Sequence, residues 1–180
     1  MALTVLLGGA RSGKSAEAQT LATALGRPVT YLATATPGDE EMAARITRHR
    51  SERPPEWTTL EEPIKLRDAL AEIADCDTVI VDCLTLWLSN MMGNDESESS
   101  ILSESHAAAV VAAARSGETI AVTNEVGLGV VPTTPMGRLF RDIAGLVNRE
   151  WVEHANRTGF VVAGRVMPLL KISDWKETST

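Results

Sequence analysis

A single α/β domain, with a mostly parallel sheet covered by helices on both faces, is the fold the sequence predicts. Three observations predict it. Five apolar runs of strand length, at 3–7, 29–34, 78–83, 119–124 and 159–164, alternate with segments of helical periodicity. The runs are continuously apolar rather than alternating, as strands buried on both faces must be. The first run passes through a glycine-rich turn into a helical pattern, the order of a βα unit. With 180 residues, 44% hydrophobic and 23% charged, the chain has material for one core of ordinary composition.

The elements follow in order. "LTVLL" (3–7) has no basic residues before it and breaks at Gly8-Gly9, so it reads as a buried strand and not as a signal peptide. Helices are expected over about 14–25, 38–50, 63–74, 101–115 and 136–157. The acidic, small-residue stretch "GNDESESSILSES" (93–105) reads as a surface loop that ends in a helix start. The tail at 171–180 is polar and without period, an edge-strand remnant or a frayed end, which leaves 1–170 as the domain. Cys76 and Cys83 lack metal-site spacing and lie in or beside an apolar run, so they are expected as buried, reduced thiols. No run reaches the roughly 18 to 20 apolar residues a membrane span needs. The expectation is a cytoplasmic protein without membrane insertion.

Charge narrows the function. A net charge of −7 and a pI near 5.0 exclude a broad basic field for nucleic acid, but leave room for a local pocket that takes a small anion. Residues 8–15, "GGARSGKS", supply the first part of one. They match G-x-x-x-x-G-K-[ST] between a predicted strand and a predicted helix, the context in which that spacing forms a phosphate-binding loop. Backbone N–H groups from Gly8, Gly9, Ala10, Arg11, Ser12 and Gly13 can curve around a phosphate while the helix directs its positive end at the same anion. Lys14 then reaches the outer phosphates and the Ser15 hydroxyl ligates Mg²⁺. The fold is thus expected to be P-loop NTPase-like. Asp82, at the end of the third run, is the candidate second metal partner, with a helix N-cap as its competing role.

The other part is a concentration of cations. Arg45, Arg48, Arg50 and Arg53 surround His49 in "AARITRHRSERPPEW" (43–57), and helical numbering sets Arg45, Arg48 and His49 on one face. Such a cluster repels itself unless an anion joins it. His49 then has three readings: a solvated surface residue, a general base toward a substrate hydroxyl, or a nucleophile at phosphorus. His106 and His154, without comparable clusters, are assigned to structure. "TNEVG" (123–127) after a strand end either shapes the substrate site through Asn124 and Glu125 or forms a capped turn. No guanine-reading N-K-x-D segment is present, which counts against a regulatory switch.

"GGARSGKS", "YLATAT" (31–36), "DEEMAARITRHRSERPPEW" (39–57), "VDCLTLWLSN" (81–90), "VTNEVGLGVVP" (122–132) and "FRDIAGLVNR" (140–149) together resemble the bifunctional adenosylcobinamide kinase / adenosylcobinamide-phosphate guanylyltransferase family of cobalamin biosynthesis. The resemblance implies phosphorylation of the aminopropanol hydroxyl of adenosylcobinamide by ATP or GTP. GMP is then transferred from GTP to adenosylcobinamide phosphate through a guanylyl-histidine, which falls on His49. It implies nucleotide contacts from Gly8 to Ser15, from Thr34, Ala35 and Thr36, from Arg50, Ser51, Glu52 and Arg53, and from Glu61 and Asp82. It also implies Mg²⁺ and a homotrimer. The alternatives are a monofunctional P-loop small-molecule kinase, in which His49 only binds phosphate, and a nucleotide-dependent switch module.

Overall fold

The computed structural model describes residues 3–174 as thirteen elements on one sheet. In chain order they are β1 (Leu3–Gly8), α1 (Lys14–Ala24), β2 (Val29–Ala33), α2 (Glu40–Ser51), β3 (Thr58–Glu61), α3 (Leu66–Glu72), β4 (Thr78–Asp82), α4 (Leu84–Gly93), α5 (Glu98–Ala114), β5 (Thr119–Asn124), α6 (Pro135–His154), β6 (Arg157–Val162) and β7 (Arg165–Pro168). The seven strands run in the order β3-β2-β4-β5-β1-β6-β7, and every pairing is parallel except that of β6 with β7.

The continuous apolar runs are explained by two cores, one on each side of the sheet. Successive strand residues point to opposite faces. Leu3, Val5 and Leu7 of β1, Leu32, and Val79 and Val81 pack with α3 to α6, around Trp87, Leu88, Ile101 and Trp151. Leu6, Tyr31, Ile80, Ile120 and Val122 pack on the other side with Ala18 and Ala22 of α1. A one-residue slip in any of these strands would exchange its two sets, so register is tightly specified.

Trp87 and Trp151 are the largest side chains buried completely, and the Trp87 indole N–H donates to the Ile64 carbonyl at 2.8 Å. Trp87→Ala removes that volume and strands the carbonyl, so we expect it to cost about 3–5 kcal/mol in urea unfolding. A loss below about 1 kcal/mol would mean that the site collapses without a cavity.

Several expectations are corrected. The segment 93–105 is mostly helix: only residues 94–97 separate α4 from α5, because the Ser97 hydroxyl caps α5 by accepting from the Ser100 N–H at 3.2 Å. The helix expected over 63–74 is confined to α3, since the Glu62 carboxylate takes the Ile64 and Lys65 N–H groups in a turn instead. Two strands were not anticipated, β3 and β7, both at sheet edges and largely exposed. The edge strand expected in the tail therefore lies earlier; residues 171–174 hold none, and 175–180 fall outside the described residues. Cys83 is buried but Cys76 is exposed, in the turn that precedes β4; both thiols are free. Among the described residues no helix is long and apolar enough to cross a membrane.

Candidate nucleotide site

The parallel strands β1, β4 and β5 end side by side, and their carboxyl ends form the floor of a cleft of about 550 Å³. In open parallel α/β sheets this is where ligands bind. Residues 8–13 leave β1 as a loop and enter α1. Gly8 has φ +155°, and a Cβ there would collide with the Val161 carbonyl, so only glycine fits. Gly13, at φ +103°, is the α1 N-cap and lies against Gly164 in the β6–β7 turn. That turn also donates the Gly164 N–H to the Ser12 carbonyl at 2.8 Å, and the Glu125 N–H reaches the Gly8 carbonyl at 3.1 Å. The loop is thus pinned from two neighbouring strands.

Lys14 is only 6% exposed, and its Nζ donates to the Gly9 carbonyl at 2.7 Å. Burial holds its pKa below the ordinary 10.5, against the opposing pull of the Asp82 carboxylate. The sign of the pH effect follows. The ammonium that attracts phosphate is lost as pH rises through a value lower than that of free lysine. Titrating nucleotide affinity from pH 8 upward should show weakening that begins short of 10.5; a flat profile to that pH would contradict it.

The Asp82 carboxylate faces the same cleft. It is not a helix cap: Cys83 occupies the α4 N-cap position, and Asp82 Oδ2 accepts a short hydrogen bond from the Tyr31 hydroxyl. Burial, and then the Asp82 charge, raise the Tyr31 pKa, so the phenol keeps its proton and remains the donor. Burial likewise pushes the Cys83 thiol up to about 12, which keeps it neutral beside Asp82. Ser15 and Asp82 line the cleft together, and a hydroxyl plus a carboxylate is the oxygen donor set that a hard cation such as Mg²⁺ takes. The residues fit the ion.

Opposite the loop stands α2, capped by Asp39, whose carboxylate accepts from the Met42 N–H at 2.7 Å. No α2 residue is fully buried, and one stripe of the helix, Glu41, Ala44, Arg45, Arg48 and His49, faces the cleft together with Glu52 at its C-terminal cap. The expected grouping of Arg45, Arg48 and His49 is therefore present and turned toward the phosphate loop. His49 is half-buried and also lines a smaller adjoining hollow of about 60 Å³ with Ala35, Arg50, Arg53, Glu61 and Asp82. There Arg50 pairs with Glu61, and the Arg53 guanidinium lies over the Tyr31 ring at 3.6 Å from its centroid.

Three expected contacts lie elsewhere. The Thr34 side chain is completely buried and bridges the Cys83 N–H and carbonyl, each at 2.8 Å. Thr36 bonds Asn90, and the Ser51 hydroxyl donates to the Arg48 carbonyl at the end of α2; neither lines either hollow. Asn124 lines the cleft, whereas the Glu125 carboxylate accepts from the Gly127 N–H at 2.7 Å and so forms the capped turn. The sequence reading missed Tyr31, Glu41 and Gly164. Glu41 was within reach of it, being one helical turn before Arg45.

A phosphate loop of this build, at the carboxyl edge of a parallel sheet, defines a P-loop nucleotide-binding protein. Sequence comparison narrows the class. Residues 4–169 match the family described as cobinamide kinase / cobinamide phosphate guanyltransferase, and the chain belongs to that family of enzymes. It is 45% identical, over 92% of its length and 95% of the relative's, to the bifunctional adenosylcobalamin biosynthesis protein CobP of Pseudomonas aeruginosa. Identity to the Escherichia coli bifunctional adenosylcobalamin biosynthesis protein CobU is 36%, over 90% of this chain and 96% of the relative. Among solved structures, the flagellar accessory protein FlaH of Methanocaldococcus jannaschii aligns with 92% of this chain and 74% of its own, at a TM-score of 0.47 and 13% identity.

Proposed function

We propose that this chain carries out two phosphorus transfers in one cleft: phosphorylation of adenosylcobinamide by ATP or GTP, and transfer of GMP from GTP to the resulting phosphate. The observation that carries the proposal is that Lys14 and His49 open on the same cavity, with Arg45 and Arg48 beside the imidazole. One group anchors the outer phosphates while the other reaches the inner one.

In the first transfer the aminopropanol oxygen attacks the γ-phosphorus and gives up its proton to solvent, the bond to the β,γ-bridging oxygen breaks, and the nucleoside diphosphate leaves. Lys14 and the loop N–H groups hold the triphosphate and take up charge on the departing phosphate. In the second, an imidazole nitrogen of His49 attacks the α-phosphorus of GTP, a P–N bond forms, and pyrophosphate leaves. A phosphate oxygen of adenosylcobinamide phosphate then breaks the P–N bond, which returns the lone pair to His49 and gives adenosylcobinamide-GDP. Arg45 and Arg48 offset the charge that builds on the phosphoryl oxygens. Ser15 and Asp82 would hold Mg²⁺, which when bound screens the phosphate charge from the incoming nucleophile. Arg50, Arg53 and Glu61, around the smaller hollow, are assigned to the remainder of the guanine nucleotide. The family resemblance supports a cytoplasmic homotrimer as the working form, and exposed apolar side chains such as Val130 and Met136 leave surface for such contacts.

Incubation with adenosylcobinamide, ATP, GTP and Mg²⁺, with products resolved by chromatography, tests the proposal. Both the phosphate and the GDP-linked product should accumulate, in that order. Phosphate alone would favour a monofunctional kinase, and nucleotide hydrolysis without an acceptor would favour a switch.

A further inference from the structure

The chain has three histidines, and two of them converge on one carboxylate that lines neither hollow. Glu150 and His154 sit one turn apart on α6, on the same face, and His106 approaches from α5. His106 Nδ1 lies 2.7 Å from Glu150 Oε1, and His154 Nε2 lies 3.0 Å from the same oxygen. The two rings meet edge to face with centroids 5.4 Å apart. One nitrogen of each ring and one carboxylate oxygen all lie within 4.8 Å of one another. We propose that His106, Glu150 and His154 form a binding site for a zinc-class divalent cation, a metal clasp between α5 and α6.

The donor set argues for that class. Two imidazole nitrogens and one carboxylate oxygen suit Zn²⁺ and its neighbours, whereas Mg²⁺ takes oxygen and keeps its water. Bond lengths of about 2.0–2.2 Å in a tetrahedral site separate the donor atoms by roughly 3.4 Å. The two contacts must therefore open by less than an ångström. The side chains have room to do so, being 59%, 34% and 29% exposed for His106, Glu150 and His154, and that exposure gives an ion access and leaves a fourth position for water. The nitrogens that now face the carboxylate become lone-pair donors when each imidazole carries its single proton on the other nitrogen.

The backbone under the site is firm. Ala108, Ala109 and Ala112 of α5 and Val147 and Trp151 of α6 are fully buried in one core, which fixes the helices that present the ligands. Two residues before Glu150, on the same helix, Asn148 accepts from the Thr123 hydroxyl at 2.7 Å and donates to the Asn124 carbonyl at 3.1 Å. A cation here would brace the helix that supports the β5 end of the nucleotide cleft.

The test uses the full chain, free of nucleotide, in millimolar Mg²⁺, with Zn²⁺ titrated in the calorimeter and unfolding followed by scanning calorimetry. One Zn²⁺ per chain should bind and raise the melting temperature. His106→Ala, His154→Ala and Glu150→Gln should each weaken binding by more than the roughly 10–100-fold that loss of an outer-shell partner costs, and should remove the thermal shift. His49→Ala should leave both intact. The three variants' melting curves without zinc establish that they fold, since all three side chains are surface groups. Unchanged zinc binding in the His106, His154 and Glu150 variants, binding lost only in His49→Ala, or no binding to the native chain would each overturn the proposal.

Discussion

His49→Ala is expected to lower guanylyl transfer by at least about 10³-fold while phosphorylation of adenosylcobinamide changes by less than about threefold. Alanine offers no lone pair, so the covalent route closes; Arg45 and Arg48 remain in the cleft and continue to attract the triphosphate. In the proposed first transfer His49 forms no bond to phosphorus, so that reaction does not depend on its lone pair. Separate assays of the two half-reactions read the difference. Equal losses in both would make His49 a phosphate ligand rather than a nucleophile, and no loss in either would return it to the helix surface. Folding is not at issue, since His49 is half-buried on a helix with no fully buried residue.

The second large effect is expected at Lys14, and it should not discriminate between the transfers. Lys14→Ala removes the one buried cation at the mouth of the loop, so both reactions should fall by about 10²–10³-fold, as when a single group that stabilises developing charge is deleted. The change also frees the Gly9 carbonyl that Nζ now occupies. Nucleotide affinity measured by calorimetry should drop with it, and Lys14→Arg should restore little, because the guanidinium is larger and this position is nearly closed to solvent. A variant that kept one transfer and lost the other would mean that the two reactions use different phosphate anchors.

The parts of the site written in local spacing could be read from the chain. The phosphate loop is eight consecutive residues, and the cation stripe on α2 follows the helical period, so Arg45, Arg48 and His49 needed no tertiary knowledge. The central strands were equally legible because they are buried on both faces. β3 and β7 were not, since edge strands have one covered side at most; "TTLE" and "RVMP" carry no apolar run to find. Contacts between distant positions were also hidden. Tyr31 reaches Asp82 across a strand pair, and His106 meets Glu150 from 44 residues away. Thr34 stands in the right block of sequence, yet its side chain points into the interior and secures the start of α4. Spacing along the chain gives the block; only the fold gives the direction.

The central claim is a bond between His49 and guanylate, and intact mass measurement reads it directly. After incubation of the native chain with GTP and Mg²⁺ and no acceptor, the account predicts a gain of one GMP that is lost on mild acid treatment and does not form in His49→Ala. A native chain that gains nothing under turnover conditions, or a variant that gains the same adduct, would contradict it.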